Sequence, residues 1–211
     1  DVMKQHVIQL MTLNSDRVFY FWSQKAKDAL INQVCTERVR RAYHHLNPDY
    51  GPAIGDLVRV VVVYLFGGIY HDIKTGIVAP IRLQALKPLP PLILCLWNNW
   101  PHRLDDTKFD PMQRGEIANW FFGSVQYHPI WKAVMKEMIE RIEAQIGRDE
   151  KDRSPDGKWR GKEGVLRITG PLMMTYVLSK FLHMFRHLCI PERLLGTQYT
   201  VFKDHHDIDR K

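Results

Sequence analysis

The feature that most constrains this chain is a nearly continuous apolar run from Ala53 to Phe66, broken by two charges, Asp56 and Arg59, and closed by Gly67-Gly68. Four successive valines, Val60 to Val63, would favour a buried strand on propensity alone. The charges argue for a helix. Residues three apart share one helix face but point to opposite sides of a strand, so a buried helix with a single polar notch accounts for both charges. Burying an isolated Asp or Arg costs several kcal/mol, roughly, so the two must be compensated by each other, by other polar groups or by a ligand. An internal structural ion pair satisfies that requirement as well as a binding site does. Gly67-Gly68 ends the helix, and Ile69 to Asp72 reads as a strand with Asp72 at its carboxyl end, where ligands sit in open α/β sheets.

Elsewhere the pattern predicts a helix over Val2 to Leu13, a turn at Asn14-Ser15-Asp16 and a strand over Arg17 to Trp22. One helix is expected from Lys25 to Leu46, ended by the turn-forming residues Asn47 to Pro52. Pro88 to Pro91 leads into a strand, Leu92 to Trp97, followed by a polar loop through Asp105-Asp106. Pro129 to Ile146 is an amphipathic helix with Ile130, Val134, Met138, Ile142 and Ile146 on one stripe. Gly147 to Gly164 reads as a charged loop, Thr169-Gly170-Pro171 opens a helix to about Arg186, and Tyr199 to Phe202 is a last strand. Alternating helices and strands without a repeat give the class α/β, and 211 residues form one domain spanning 1–211.

Composition narrows the function only loosely. Thirty Lys and Arg against 23 Asp and Glu give a net charge of +7, which suits anionic partners. No zinc-finger spacing or RNP-like aromatic motif accompanies it, so nucleic acid is not an expected partner. Cys35, Cys95 and Cys189 are odd in number and far apart, and read by default as free buried thiols, with one bridge left open. No apolar run approaches the roughly 20 residues of a membrane span, and no leader-like segment is seen, so the chain reads as soluble with its compartment open. An anchor upstream would place it in the Golgi lumen or at a membrane; otherwise it would be cytoplasmic.

The block Asp56-Leu57-Val58-Arg59, the hydrophobic stretch after it, and Gly67-Gly68-Ile69-Tyr70-His71-Asp72 resemble the sugar-binding region of glycosyltransferase family 32, which includes yeast Golgi mannosyltransferases. They are also similar to the catalytic domains of large clostridial glucosylating toxins. Ala118 to Ser124, His128-Pro129 and Thr169-Gly170-Pro171 look like later blocks of the same family, so the likeness covers about Arg17 to Tyr176. It implies a GT-A fold, a nucleotide-sugar donor such as GDP-mannose or a UDP-sugar, and retaining transfer of a hexose to a hydroxyl of a glycan or other acceptor. Carried over by position, Asp56 and Arg59 would contact the donor sugar and its phosphate side, Tyr70 would line the pocket, and Asp72 would be the first acid of the family's DxD motif. Asn119 is a further candidate polar contact to sugar or acceptor, against a loop or helix capping role. His128 reads as structural, and Trp97, Trp120 and Trp131 as core rather than stacking platforms.

Two departures matter. The second acid of DxD is replaced, giving Asp72-Ile73-Lys74, and an ammonium cannot ligate a metal. Either Lys74 is itself the cation beside the diphosphate, or a divalent metal is held by other ligands, or activity is lost and the chain is a nucleotide-sugar or glycan-binding module. The reading carried forward is Mn2+ held by Asp72 with His205 and His206 near the end of the chain, the alternative for that His pair being a solvated tail. The family's opening strand is the other departure: it is expected before residue 1 or is missing.

Overall fold

The computed structural model describes residues 2–48, 51–73, 75–77, 90–97, 116–149, 162–191 and 197–198. In chain order it contains α1 (Val2–Leu13), α2 (Gln24–Val34), α3 (Glu37–His45), α4 (Gly51–Phe66), β1 (Gly68–His71), β2 (Gly76–Ile77), β3 (Leu92–Trp97), β4 (Glu116–Ser124), α5 (Pro129–Asp149), α6 (Lys162–Ile168), α7 (Pro171–Phe181), a 3-10 turn (Leu182–Met184), β5 (Leu188–Pro191) and β6 (Thr197–Gln198). The expected loop through Asp105-Asp106, the strand at Tyr199–Phe202, Lys74, His205 and His206 lie outside the described residues.

A mixed sheet in the order β1-β4-β3-β5 forms the centre, with β1 and β3 antiparallel to β4 and β5 parallel to β3. One face carries Leu92, Leu94, Ile117 and Phe122 against α4, α5 and α7; the other carries Ile93, Cys95, Ala118, Trp120 and Phe121 against Leu10 and Leu13 of α1. Residues of β3 thus alternate between two cores, as the two-residue period of a strand requires. Fully buried side chains such as Trp131, Phe122 and Leu94 each contribute roughly 1.5–3 kcal/mol of burial.

Helix α4 confirms the helical reading of the apolar run, beginning two residues earlier with Pro52 in its first turn, where a missing N–H is harmless. Gly67 ends it with φ +68°, a conformation that L residues avoid, and a Cβ there would lie 2.7 Å from the Gln126 backbone nitrogen. Two carbonyls of the last turn are satisfied from the loop before α5: Tyr127 N donates to Tyr64 O (2.7 Å) and Gln126 Nε2 to Leu65 O (2.6 Å). Those bonds fix the angle at which α4 delivers the chain into β1.

Several expectations are corrected. Arg17 to Trp22 forms no strand: Val18, Tyr20 and Phe21 are exposed, Phe19 and Trp22 pack against the cores, and among the described residues no strand pairs with the segment. An alternating sequence becomes a strand only when a ladder partner takes its backbone bonds. The helix expected over Lys25 to Leu46 is two helices, broken where Cys35 and Thr36 adopt extended backbone. Bending there lets both Ile31 and Tyr43 reach the core, with Gln24 and Asp28 of α2 bonded to the Tyr43 hydroxyl. Helix α5 runs on to Asp149 and α6 starts at Lys162, so both ends of the segment expected as a loop are helical. The helix after Gly170 ends at Phe181, because the chain must turn to lay β5 beside β3. No disulfide joins the cysteines, and no helix among the described residues is long and apolar enough to cross a membrane.

Candidate functional site

The polar notch of α4 faces the carboxyl end of β1. Asp56 and Arg59 are 5% and 7% exposed, and Arg59 Nη2 lies 3.2 Å from Asp56 Oδ1. The same Nη2 is 3.7 Å from Asp72 Oδ2, whose side chain keeps a quarter of its surface in solvent. Arg59 is held from three further sides: its Nε donates to Gly55 O at 3.2 Å, its Nη1 to Asn119 O at 2.6 Å, and its guanidinium lies 4.9 Å from the centre of the Tyr70 ring. The planar fork is saturated by protein acceptors on its inner side and meets Asp72 on its outer side.

Strands β1 and β4 set these positions. The β1–β4 ladder continues one residue beyond β1, with Asp72 N donating to Trp120 O at 2.9 Å. Thr75 then closes a turn on the Asp72 carbonyl through its N–H (3.0 Å) and its hydroxyl (2.5 Å), so the Asp72 backbone is fixed on both sides. On the other edge of β4 the register with β3 shifts between Leu94 and Leu96, opposite Asn119. Irregularities of this kind re-aim a residue, and here the Asn119 carbonyl accepts from Arg59 while its Nδ2 donates to Asp56 Oδ1 at 2.8 Å. The second carboxylate oxygen of Asp56 accepts from the Thr169 hydroxyl at 3.1 Å.

Burial pushes the Asp56 carboxyl up to about 6, with Arg59 and the Thr169 hydroxyl pulling it back, so it is ionised at neutral pH. Burial likewise raises the Tyr70 phenol to about 12 and lowers the His71 imidazole to about 4, keeping both neutral. His71 points away from the notch, with its ring edge-on to Phe121. Asp56 titrates near 3.8 when unfolded, so the folded state binds its proton more tightly; its stabilising contribution is complete below about pH 4 and declines as pH rises through 6. His71 falls from 6.5 to about 4, so its contribution is complete above 6.5 and is lost as pH falls through 4. Each shift is worth roughly 3 kcal/mol, and the two oppose each other across the same window. Urea unfolding of Asp56→Asn between pH 4 and 7 should therefore expose a rise in stability with pH that the native protein largely conceals. A parallel pair of profiles would contradict this electrostatic account.

No family model and no curated protein matches the sequence. Solved structures do match. One of them, named PaToxG glycosyltransferase, aligns over 86% of this chain with a TM-score of 0.54 and 14% identity, and the chain spans 64% of that protein's length. The fold is GT-A-like. At that identity the likeness speaks to architecture, and it agrees with the α/β class and the GT-A fold expected from the sequence.

Within this glycosyltransferase-like fold, Asp56, Arg59, Tyr70, Asp72 and Asn119, all singled out from the sequence, converge on one cluster. Asn119 joins it as a strand residue bonded to Asp56, not as a helix or loop cap. His128 lies elsewhere, buried against the Phe185 ring with its Nδ1 accepting from Ile130 N at the start of α5. Trp120 and Trp131 are core residues, as read, and the Trp131 indole donates to Ser124 Oγ. Thr169 is the member that the sequence reading missed as a polar contact. Thr169-Gly170-Pro171 signalled a helix start and a late block of the family pattern, and nothing local says which way the hydroxyl points.

Asp72 can give a carboxylate oxygen to a divalent cation. Among the described residues no group of three or more His, Cys, Asp or Glu is placed to hold one. A metal of the Mg2+ or Mn2+ kind commonly takes one or two carboxylates and completes its shell with substrate phosphates and water, and Asp72 is the partly exposed carboxylate of the cluster that could serve.

Proposed function

We propose that the chain is the catalytic part of a nucleotide-sugar-dependent glycosyltransferase of the family-32 kind, moving a hexose, with mannose from GDP-mannose or a UDP-linked sugar as the candidate donors, to a hydroxyl of a glycan or other acceptor. One observation carries the reading: a buried Arg59, neutralised behind by Asp56, faces a partly exposed Asp72 at the carboxyl end of β1 in a GT-A-like fold. A purely structural pair would have no need of the second, solvent-facing carboxylate.

In this reading Asp72 accepts hydrogen bonds from sugar hydroxyls or ligates the cation, and Tyr70 forms the floor beneath Arg59. Arg59 supplies positive potential where charge builds on the departing diphosphate. A bound Mn2+, held by Asp72 with His205 and His206, would supply further neutralisation of that diphosphate. Transfer with retention needs no protein nucleophile: the anomeric carbon–phosphate oxygen bond breaks, the acceptor oxygen takes its place on the same face, and the acceptor proton goes to the leaving phosphate oxygen.

The deciding experiment is a thermal-shift and turnover screen of UDP- and GDP-sugars, each with and without Mn2+, since a ligand of the folded state raises the melting temperature in proportion to the logarithm of its concentration over Kd. We expect a shift with one nucleotide series, and EDTA to stop transfer until Mn2+ is restored. His205→Ala and His206→Ala should weaken Mn2+ stimulation. Activity surviving in metal-free protein but lost in Lys74→Ala, by the roughly 3–4 kcal/mol of a single electrostatic group, would assign the cation to Lys74. Donor binding without transfer or hydrolysis would favour an impaired binding module, for which the Asp72-Ile73-Lys74 sequence is the motive.

A further inference from the structure

We propose that Thr169, at the junction of α6 and α7, is a positioning residue for the donor site: it holds Asp56, and Asp56 in turn aims Arg59 at Asp72. The inference rests on the donor-site reading above and extends it to a segment far from β1 in sequence.

Asp56 has little surface left for a ligand, because Oδ1 takes Arg59 Nη2 and Asn119 Nδ2 and Oδ2 takes the Thr169 hydroxyl. Its role is to orient its neighbours. The Thr169 hydroxyl has two acceptors in reach, Asp56 Oδ2 at 3.1 Å and Val165 O at 3.3 Å. Val165 O already accepts the N–H groups of Thr169 (3.1 Å) and Gly170 (2.8 Å), so the single hydroxyl proton goes to the nearer, charged oxygen.

The junction is built to hold that geometry. A Cβ on Gly170 would meet backbone on two sides, Leu166 Cα at 2.8 Å and Val165 O at 2.9 Å, so only glycine lets the chain turn this tightly beside Thr169. One turn into α7, the buried Thr175 hydroxyl accepts from Ile117 N at 3.0 Å, anchoring β4 two residues before Asn119. Of the Asp56 partners outside its own helix, Thr169 is thus held by the end of α6 and the turn at Gly170, and Asn119 lies in a strand that α7 anchors through Thr175.

The test compares Thr169→Val, which keeps the shape and removes the hydroxyl, with Thr169→Ser, which keeps the hydroxyl. Calorimetric affinities for GDP-mannose and UDP-glucose are measured at a temperature where circular dichroism shows every variant folded. Loss of one hydrogen bond to a buried carboxylate predicts donor affinity about tenfold to a hundredfold weaker in Thr169→Val, with Thr169→Ser within about threefold of the native protein. Should the valine variant not fold, Thr169→Ala removes the same hydroxyl without added bulk. Unchanged affinity in a folded hydroxyl-less variant, or equal weakening in the serine variant, overturns the positioning role alone. Absence of binding of either nucleotide sugar by the native protein overturns the donor-site reading and this inference with it.

Discussion

Asp72→Asn is expected to remain folded and to lose sugar transfer by at least about a hundredfold. Its side chain is a quarter exposed, and its ion pair with Arg59 is long at 3.7 Å, so removing the charge should change stability by no more than about 1 kcal/mol. The Asp72 backbone bonds to Trp120 and Thr75 do not involve the carboxylate and persist in the variant. What disappears is the one carboxylate of the cluster that both faces solvent and touches Arg59. Denaturant unfolding and initial transfer rates on one preparation separate the two effects. Native turnover in the variant would end the assignment of this strand end as the donor site.

Arg59→Met is expected to do the opposite to the balance, damaging fold and function together. Methionine fills much of the stem's volume but leaves Asp56 buried without its counter-charge and the Asn119 carbonyl without its donor. Breaking a buried pair from one side costs about 3–5 kcal/mol, a large part of the roughly 5–15 kcal/mol that holds a domain together. Adding Asp56→Asn should recover a substantial share of that loss, because the stranded charge is then gone, while donor binding stays absent. Urea titrations of both singles and the double variant give the coupling directly. Additive losses would mean that Asp56 and Arg59 do not compensate each other, and unchanged donor affinity in Arg59→Met would reduce the pair to a structural role.

How far the sequence foretold this site follows from the range of each signal. Asp56 and Arg59 were legible because two charges interrupt an apolar run at helical spacing, and Asp72 because a Gly67-Gly68 stop must be followed by a new element. Strand β4 was not, since nearly every residue from Glu116 to Gly123 is buried and a strand covered on both faces shows no alternation. Arg17 to Trp22 shows the converse, a real alternation that no neighbouring strand completes among the described residues. The break at Cys35-Thr36 contains neither glycine nor proline, so only the demand that α2 and α3 both reach the core reveals it. Thr169 was invisible as a contact because its partner is 113 residues away.

That separation has a bearing on how the molecule reaches its working state. The bonds that seat Asp56 join positions 63 and 113 residues apart, so they form only after long loops have closed and the loop-closure entropy has already been spent. Local order in α4 and β1 can arise early from neighbouring residues, but the charged cluster is assembled only when α4, β4 and the α6–α7 junction have docked. No excised hairpin or helix of this chain can inherit the cluster, and a nascent chain still short of Thr169 cannot complete it.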